Sequence, residues 1–106
     1  MRIAIDAMGG DLAPQATVEG AYLYQKENKS KNELVLVGDK DRIITESNKY
    51  SHWPEMNISI IHASQVIGMS ESPTEALKHK KNSSLQVGLD LHKSNEVQAF
   101  VSAGNT

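Results

Sequence analysis

Four short apolar runs, Arg2 to Asp6, Leu34 to Gly38, Ile58 to Ala63 and Val97 to Ala103, punctuate a chain otherwise filled with stretches of helical periodicity. Within Leu34-Val35-Leu36-Val37 and Ala99-Phe100-Val101 the apolar residues do not alternate with polar ones. That continuity suits strands covered on both faces of a parallel sheet, because a half-exposed strand would show a period of two. Strand then helix, repeated, is the pattern of an α/β unit. With 106 residues, 39% of them hydrophobic, the chain has material for one modest core, so residues 1–106 are expected to form a single α/β unit.

The stretches between the runs read as helices with identifiable ends. From Pro14 to about Asn28, Val18, Ala21 and Tyr22 fall at i, i+3 and i+4 beside Ala16, Gly20 and Leu23, which predicts a helix with a broad apolar face. Pro14 suits its first turn. Asp39 stands at a helix N-cap after Gly38, and Ile43 and Ile44 give a second, shorter helix its buried side. Lys49 to Glu55, with Trp53-Pro54, reads as a loop, and Ser64 to Met69 as a connector bent at Gly68. Ser72-Pro73-Thr74-Glu75 predicts a helix start that runs through Ala76 and Leu77 into Lys78-His79-Lys80-Lys81. Asn82-Ser83-Ser84 ends that helix and caps the next, in which Leu85, Gly88, Leu89 and His92 share a face and Gly88 permits close packing on the sheet. In a doubly wound fold a helix would follow Ser102-Ala103-Gly104-Asn105-Thr106, so the chain is expected to be the first part of something longer.

Composition narrows the function classes. Eleven basic against thirteen acidic residues give a formal charge of −2, which argues against nucleic-acid binding and offers no polybasic membrane patch. A small-molecule or protein partner is the better expectation. With no cysteine there is no disulfide framework, thiolate zinc site or cysteine nucleophile, and the composition fits a reducing cytosol. Met1-Arg2-Ile3-Ala4-Ile5-Asp6 lacks the apolar core of a signal peptide and reads as a strand. No apolar run approaches the roughly 18 residues that would span a bilayer.

Parallel strands bring the turns after all four runs to one carboxyl edge, where open α/β sheets place their ligands. In the first of these turns, Gly9 and Gly10 and the following helix N-terminus can present N–H groups to an anion. Asp6 and Asp11 there supply acid–base, metal-binding or orienting groups, or the segment is a tight strand-to-helix turn with a cap. Ser102, Asn105 and Thr106 around Gly104 are suited to hydrogen-bond phosphate or carboxylate oxygens, or make an ordinary β-turn. Lys80 and Lys81 with Ser83 and Ser84 offer a second anion cradle, or simply a cation-rich helix end. His52, His62, His79 and His92 show no metal-ligand spacing and are assigned to surface or packing, and no metal is expected. Neither Gly-x-Gly-x-x-Gly, nor a P-loop, nor a Gly-x-Ser-x-Gly elbow occurs, so no nicotinamide or other cofactor is expected.

The run Arg2-Ile3-Ala4-Ile5-Asp6-Ala7-Met8-Gly9-Gly10-Asp11-Leu12-Ala13-Pro14 closely resembles the N-terminal signature of the bacterial phosphate acyltransferases of phospholipid synthesis, the PlsX family. Val66-Ile67-Gly68-Met69, with Ser72-Pro73, Ala76-Leu77, Lys80-Lys81 and Ser83-Ser84, resembles that family's second block, and Val101 to Thr106 the start of its third. Small departures are Glu71-Ser72, where a more acidic pair is usual, and Leu85 in place of methionine. The resemblance implies a three-layer α/β/α, Rossmann-like fold similar to the isocitrate and isopropylmalate dehydrogenases and phosphotransacetylases. It also implies that the chain is the N-terminal part of a longer, usually homodimeric enzyme, soluble in the cytoplasm and peripheral at the inner face of the membrane.

The implied reaction transfers a long-chain acyl group from acyl carrier protein to inorganic phosphate. Phosphate itself attacks the thioester, so the site must position it, stabilise an oxyanion and let a thiolate leave. Asp11, Asp6 and Asn105 are then the candidates for chemistry, with Asp6 favoured as an orienting group. Gly9, Gly10, Ser102, Gly104, Thr106 and Ser83 are candidates for binding, and Lys80 and Lys81 for phosphate or for the acidic carrier. Rival readings are a phosphotransacetylase-like activity on short acyl-coenzyme A and a non-catalytic binding or dimerisation module.

Overall fold

The computed structural model describes residues 1–28, 31–65, 74 and 80–103. Each apolar run is a strand: β1 (Arg2–Asp6), β2 (Glu33–Gly38), β3 (Ile58–His62) and β4 (Ala99–Val101). Between them lie α1 (Gln15–Asn28), α2 (Lys40–Ser47), a single 3-10 turn (Trp53–Glu55) and α3 (Ser84–Lys93). The strands form one sheet in the order β3-β2-β1-β4, every pair parallel. The last strand is shorter than the run that predicts it, yet Val97, ahead of it, is still buried.

Alternation along the strands builds two cores from residues that look uniformly apolar in sequence. Leu34 and Leu36 pack with Ala7, Val18, Ala21 and Ile43 under α1 and α2, joined by Ile3, Ile5, Ile58 and Ile60. Val35 and Val37 pack with Ala4, Ala63 and Val97 on the opposite face, where Val87, Leu91 and Phe100 close the layer under α3. The result is the expected three-layer α/β/α arrangement. None of the described helices is long and apolar enough to cross a membrane.

Helix faces depart from expectation in instructive ways. On α1 the buried residues are Val18, Ala21, Tyr22 and Gln25, one i, i+3, i+4, i+7 stripe, while Ala16, Gly20 and Leu23 are exposed. Gln25 is tolerated there because its amide donates to the carbonyls of Asn32 (2.8 Å) and Asn57 (2.9 Å), tying two amino-edge loops together. Helix α1 also begins one residue later than predicted. Pro14 precedes it, and its carbonyl accepts from Val18 N at 3.0 Å.

Asp39 caps α2 as expected, accepting from the N–H groups of Asp41 and Arg42, but only Ile43 of the isoleucine pair is buried. On α3 the inward stripe is Ser84, Val87, Gly88 and Leu91, rotated from the predicted Leu85, Gly88, Leu89 and His92; Leu89 is 40% exposed. Gly88 sets that rotation. A Cβ built on it would lie 2.1 Å from the Phe100 ring, so the helix backbone rests on the aromatic face, as the expected close packing requires. The helix start predicted at Ser72-Pro73 and the connector Val66 to Met69 fall outside the described residues.

At the amino edge, Arg2 Nε donates to Glu33 Oε1 at 2.9 Å and the Ser59 hydroxyl donates to Glu33 Oε2 at 2.6 Å, a polar ladder across three strands. The Ser59 hydroxyl holds the Glu33 carboxyl below its usual range; burial opposes that, and the Arg2 guanidinium adds to the lowering.

Candidate functional site

The chain builds β1, β2 and β3 outward in one direction and then places β4 on the free side of β1. Helix α1, between β1 and β2, and helix α3, which leads into β4, pack on opposite faces, so the carboxyl ends of β1 and β4 flank the topological switch point, where open parallel sheets hold ligands. The registers Ala4↔Phe100 and Ile5↔Val101, carried one step further, set Asp6 beside Ser102 on one face.

They meet there. The Ser102 hydroxyl donates to Asp6 Oδ2 at 2.7 Å, and the N–H of Met8 donates to Asp6 Oδ1 at 3.1 Å. Asp6 is only 5% exposed, and with a donor on each oxygen its carboxylate is committed to shaping the turn. The same turn is held by its backbone. Ala7 N donates to the Val37 carbonyl at 2.9 Å and Gly9 N to the Asp6 carbonyl at 3.2 Å. The Thr17 hydroxyl reaches back from α1 to the Ala7 carbonyl at 2.6 Å and lies 3.0 Å from that of Pro14, sharing its one proton between them. The Ala13–Pro14 peptide is cis.

The two glycines do different work. Gly9 is buried and its N–H is spent within the turn. Gly10 adopts φ +92°, a left-handed conformation that side chains disfavour, and a Cβ there would stand 3.8 Å from the Cβ of Ala103. The glycine turn thus faces the exit of β4. Asp11 and Leu12 are exposed at the crest of the loop that follows.

The second cradle lies on the same edge, because α3 runs back against the strands and begins there. Gln65, just past β3, bridges to Ser83: Gln65 N donates to the Asn82 carbonyl and Ser84 N to the Gln65 carbonyl, both at 3.1 Å. Ser83 is fully buried, and its hydroxyl accepts from Gln86 N at 3.1 Å as the α3 N-cap. That is the capping role the Asn82-Ser83-Ser84 run predicts, and it uses one lone pair of the hydroxyl. Lys80 is partly buried and Lys81 exposed immediately before this cap. Gly104, Asn105 and Thr106 lie outside the described residues.

Of the expected site, then, Asp6, Gly9, Gly10 and Ser102 come together and Asp11 is exposed on the loop after them, while Lys80 and Lys81 precede the cap of α3. Thr17, Met8 and Gly38 also shape the loop and are absent from the candidates read from sequence. The signal for Thr17 is its place three residues after Pro14; for Gly38 it is a glycine ending an otherwise unbroken apolar strand.

Among the described residues no group of three His, Asp or Glu side chains is arranged to hold a metal ion. His62 accepts from Lys40 N through Nδ1 at 3.1 Å, and His52 and His92 are exposed; His79 falls outside the described residues.

The profile of a family described as "Fatty acid synthesis protein" matches residues 1–106. The phosphate acyltransferase of Magnetococcus marinus is 48% identical over 106 residues, all of this chain and 30% of its own length. That of Syntrophotalea carbinolica is 46% identical over 98% of this chain and 29% of its own length, and that of Halothermothrix orenii 44% identical over the whole chain and 31% of its own. The chain thus spans about 30% of the length of these relatives. A family profile that matches every residue, with relatives at these identities over the whole chain, shows that the chain belongs to the fatty acid synthesis protein family.

Proposed function

We propose that this chain forms one wall of the active site of a phosphate acyltransferase, in which a long-chain acyl group passes from acyl carrier protein to inorganic phosphate. The observation that carries the reading is the Ser102–Asp6 hydrogen bond, which joins the exits of β1 and β4 at the switch point beside the Gly9–Gly10 turn. The relatives' shared name, phosphate acyltransferase, supports the reaction class.

In the proposed reaction a phosphate oxygen attacks the thioester carbonyl carbon, forming the C–O bond of a tetrahedral intermediate. Collapse breaks the C–S bond, giving acyl phosphate and the carrier's thiolate, which takes up a proton. No covalent intermediate on the protein is required. In this reading Gly10 N–H and the backbone that follows it donate to phosphate or to the oxyanion. Asp6 acts as a positioning residue, since both of its oxygens accept hydrogen bonds within the protein. Asp11, exposed on the rim, is the group assigned to hold or move a proton. Lys80 and Lys81 supply positive charge for phosphate or for the acidic carrier, while Gly104, Asn105 and Thr106 extend the β4 side of the wall. On the same reading the remaining wall comes from chain corresponding to the rest of the relatives' length. In this reading the whole enzyme is a cytoplasmic homodimer, peripheral at the inner membrane face.

The test is to incubate the full-length enzyme with phosphate and either long-chain acyl carrier protein or short-chain acyl-coenzyme A, and to assay acyl phosphate. Product from the carrier substrate, with kcat/KM lowered by Asp11→Asn, is expected. Turnover of acyl-coenzyme A alone would replace the reading with a phosphotransacetylase-like one. No turnover of either would leave a binding or dimerisation module.

A further inference from the structure

The loop that carries the glycine pair is seated on β2 by one side chain. Met8 is only 7% exposed and lies against the end of β2, where Gly38 has no side chain. A Cβ built on Gly38 would stand 2.7 Å from Met8 Cγ and 2.9 Å from Met8 Sδ, closer than such atoms pack, with the Ile43 Cδ1 methyl 3.3 Å away. Gly38 is not at positive φ, so its position demands space and not backbone freedom.

Neither neighbour leaves Gly38 room to retreat. Its carbonyl accepts from Ala63 N at 2.8 Å and it pairs with His62 in the sheet, while Ile43 is fully buried in α2. A methyl group at position 38 is accommodated by displacing Met8, because packed interiors hold no spare volume. Met8 Cγ adjoins Cβ, so clearing it takes a χ1 rotation inside the packed layer or a shift of the loop backbone. That backbone is tied to the site: Met8 N–H donates to Asp6 Oδ1, and Gly9 and Gly10 follow directly.

We propose that Met8 and Gly38 form a steric seat that fixes the height of the Gly9–Gly10 turn over the sheet edge, and so the fit of that turn to inorganic phosphate. Both are positioning residues: Gly38 acts through Met8, and Met8 through the loop backbone. The inference rests on the phosphate-loop reading above and adds two residues to it.

In the full-length enzyme, Gly38→Ala is expected to raise the KM for inorganic phosphate about tenfold while the KM for the acyl donor stays within about twofold. The double variant Gly38→Ala/Met8→Ala removes Cγ and Sδ and gives the new methyl the vacated space. Its phosphate KM is expected to return to within about threefold of the wild-type value. A folded Gly38→Ala enzyme with unchanged phosphate KM overturns the proposal, as does a double variant no better than the single. Should Gly38→Ala fail to fold, Met8→Ala with Gly38 retained keeps the question open to refutation: the loop loses its seat, and an unchanged phosphate KM there is equally fatal. If wild-type acyl transfer shows no dependence on phosphate, the underlying functional reading fails, a result that needs no variant and is distinct from the others.

Discussion

Replacing Asp6 separates two roles that its carboxylate combines, charge and hydrogen-bond acceptance. In the wild-type chain one oxygen accepts from Met8 N–H at 3.1 Å and the other from the Ser102 hydroxyl at 2.7 Å, at a residue 5% exposed. A hydrogen bond to an ionised group contributes about 1.5–3 kcal/mol net, and a buried amide left unpaired costs about 1–3 kcal/mol. Asp6→Ala loses both bonds and orphans the Met8 amide. Because Ser102 is partly solvated and water can replace that partner, the low end applies and the loss is about 3 kcal/mol. Ser102→Ala removes one bond and costs about 1.5 kcal/mol.

Asp6→Asn keeps an oxygen for Met8 and turns its amide towards Ser102, whose hydroxyl oxygen then accepts. The expected cost is about 1 kcal/mol. Urea unfolding of the chain and its variants, followed by far-UV circular dichroism, gives these values, and the Asp6→Ala/Ser102→Ala double variant closes a cycle with a coupling of about 1 kcal/mol. A coupling near zero would show that Ser102 does not hold the turn. Equal losses for Asp6→Asn and Asp6→Ala would show that charge, and not the pair of hydrogen bonds, is what the fold requires.

Gly88→Val is expected to destabilise the chain by about 1–3 kcal/mol, since its Cβ has no room against the Phe100 ring, and Phe100→Leu in the same chain should recover part of the loss in the same unfolding assay. Glu33 titrates below its reference value of 4.5 in the folded state. Its contribution is therefore complete above the unfolded-state pKa and is lost as pH falls through the folded-state pKa, so Glu33→Gln should flatten the acid limb of a stability–pH curve measured between about pH 6 and 2.

Strands were legible because each is a near-continuous apolar run, and parallel pairing followed from that continuity. The capping roles of Asp39 and Ser83, and the contact made by Gly88, were legible from residue type at a helix boundary or face. Helix rotation was not. On α3 either Leu85-Gly88-Leu89-His92 or Ser84-Val87-Gly88-Leu91 satisfies the periodicity, and only the flat Phe100 ring opposite Gly88 decides between them. Gln25 was hidden for a related reason: a buried amide is acceptable only because two loop carbonyls, distant in sequence, converge on it. In the proposed site, local turn chemistry singled out Asp6, Gly9 and Gly10, which the fold holds in one turn. Met8 and Gly38, 30 residues apart, meet only through the β1–β2 pairing and carry no local signature of that contact.

Two aspartates flanking the proposed anion site raise an electrostatic objection that the geometry answers in part. A carboxylate repels a neighbouring phosphate least when its own charge is dispersed into donors, and Asp6 has one on each oxygen and is turned into the protein. Asp11 is exposed, where water screens it. Against them stand the amino-terminal end of α3, with the partial positive charge of its dipole, and Lys80 and Lys81 before it. The balance has a directional consequence. Asp6 belongs to the architecture of the turn, so removing it should damage folding before chemistry, whereas Asp11 contributes little to the fold and should show its effect in kcat/KM with stability nearly unchanged. An Asp11→Asn enzyme as destabilised as Asp6→Ala would reverse the two assignments.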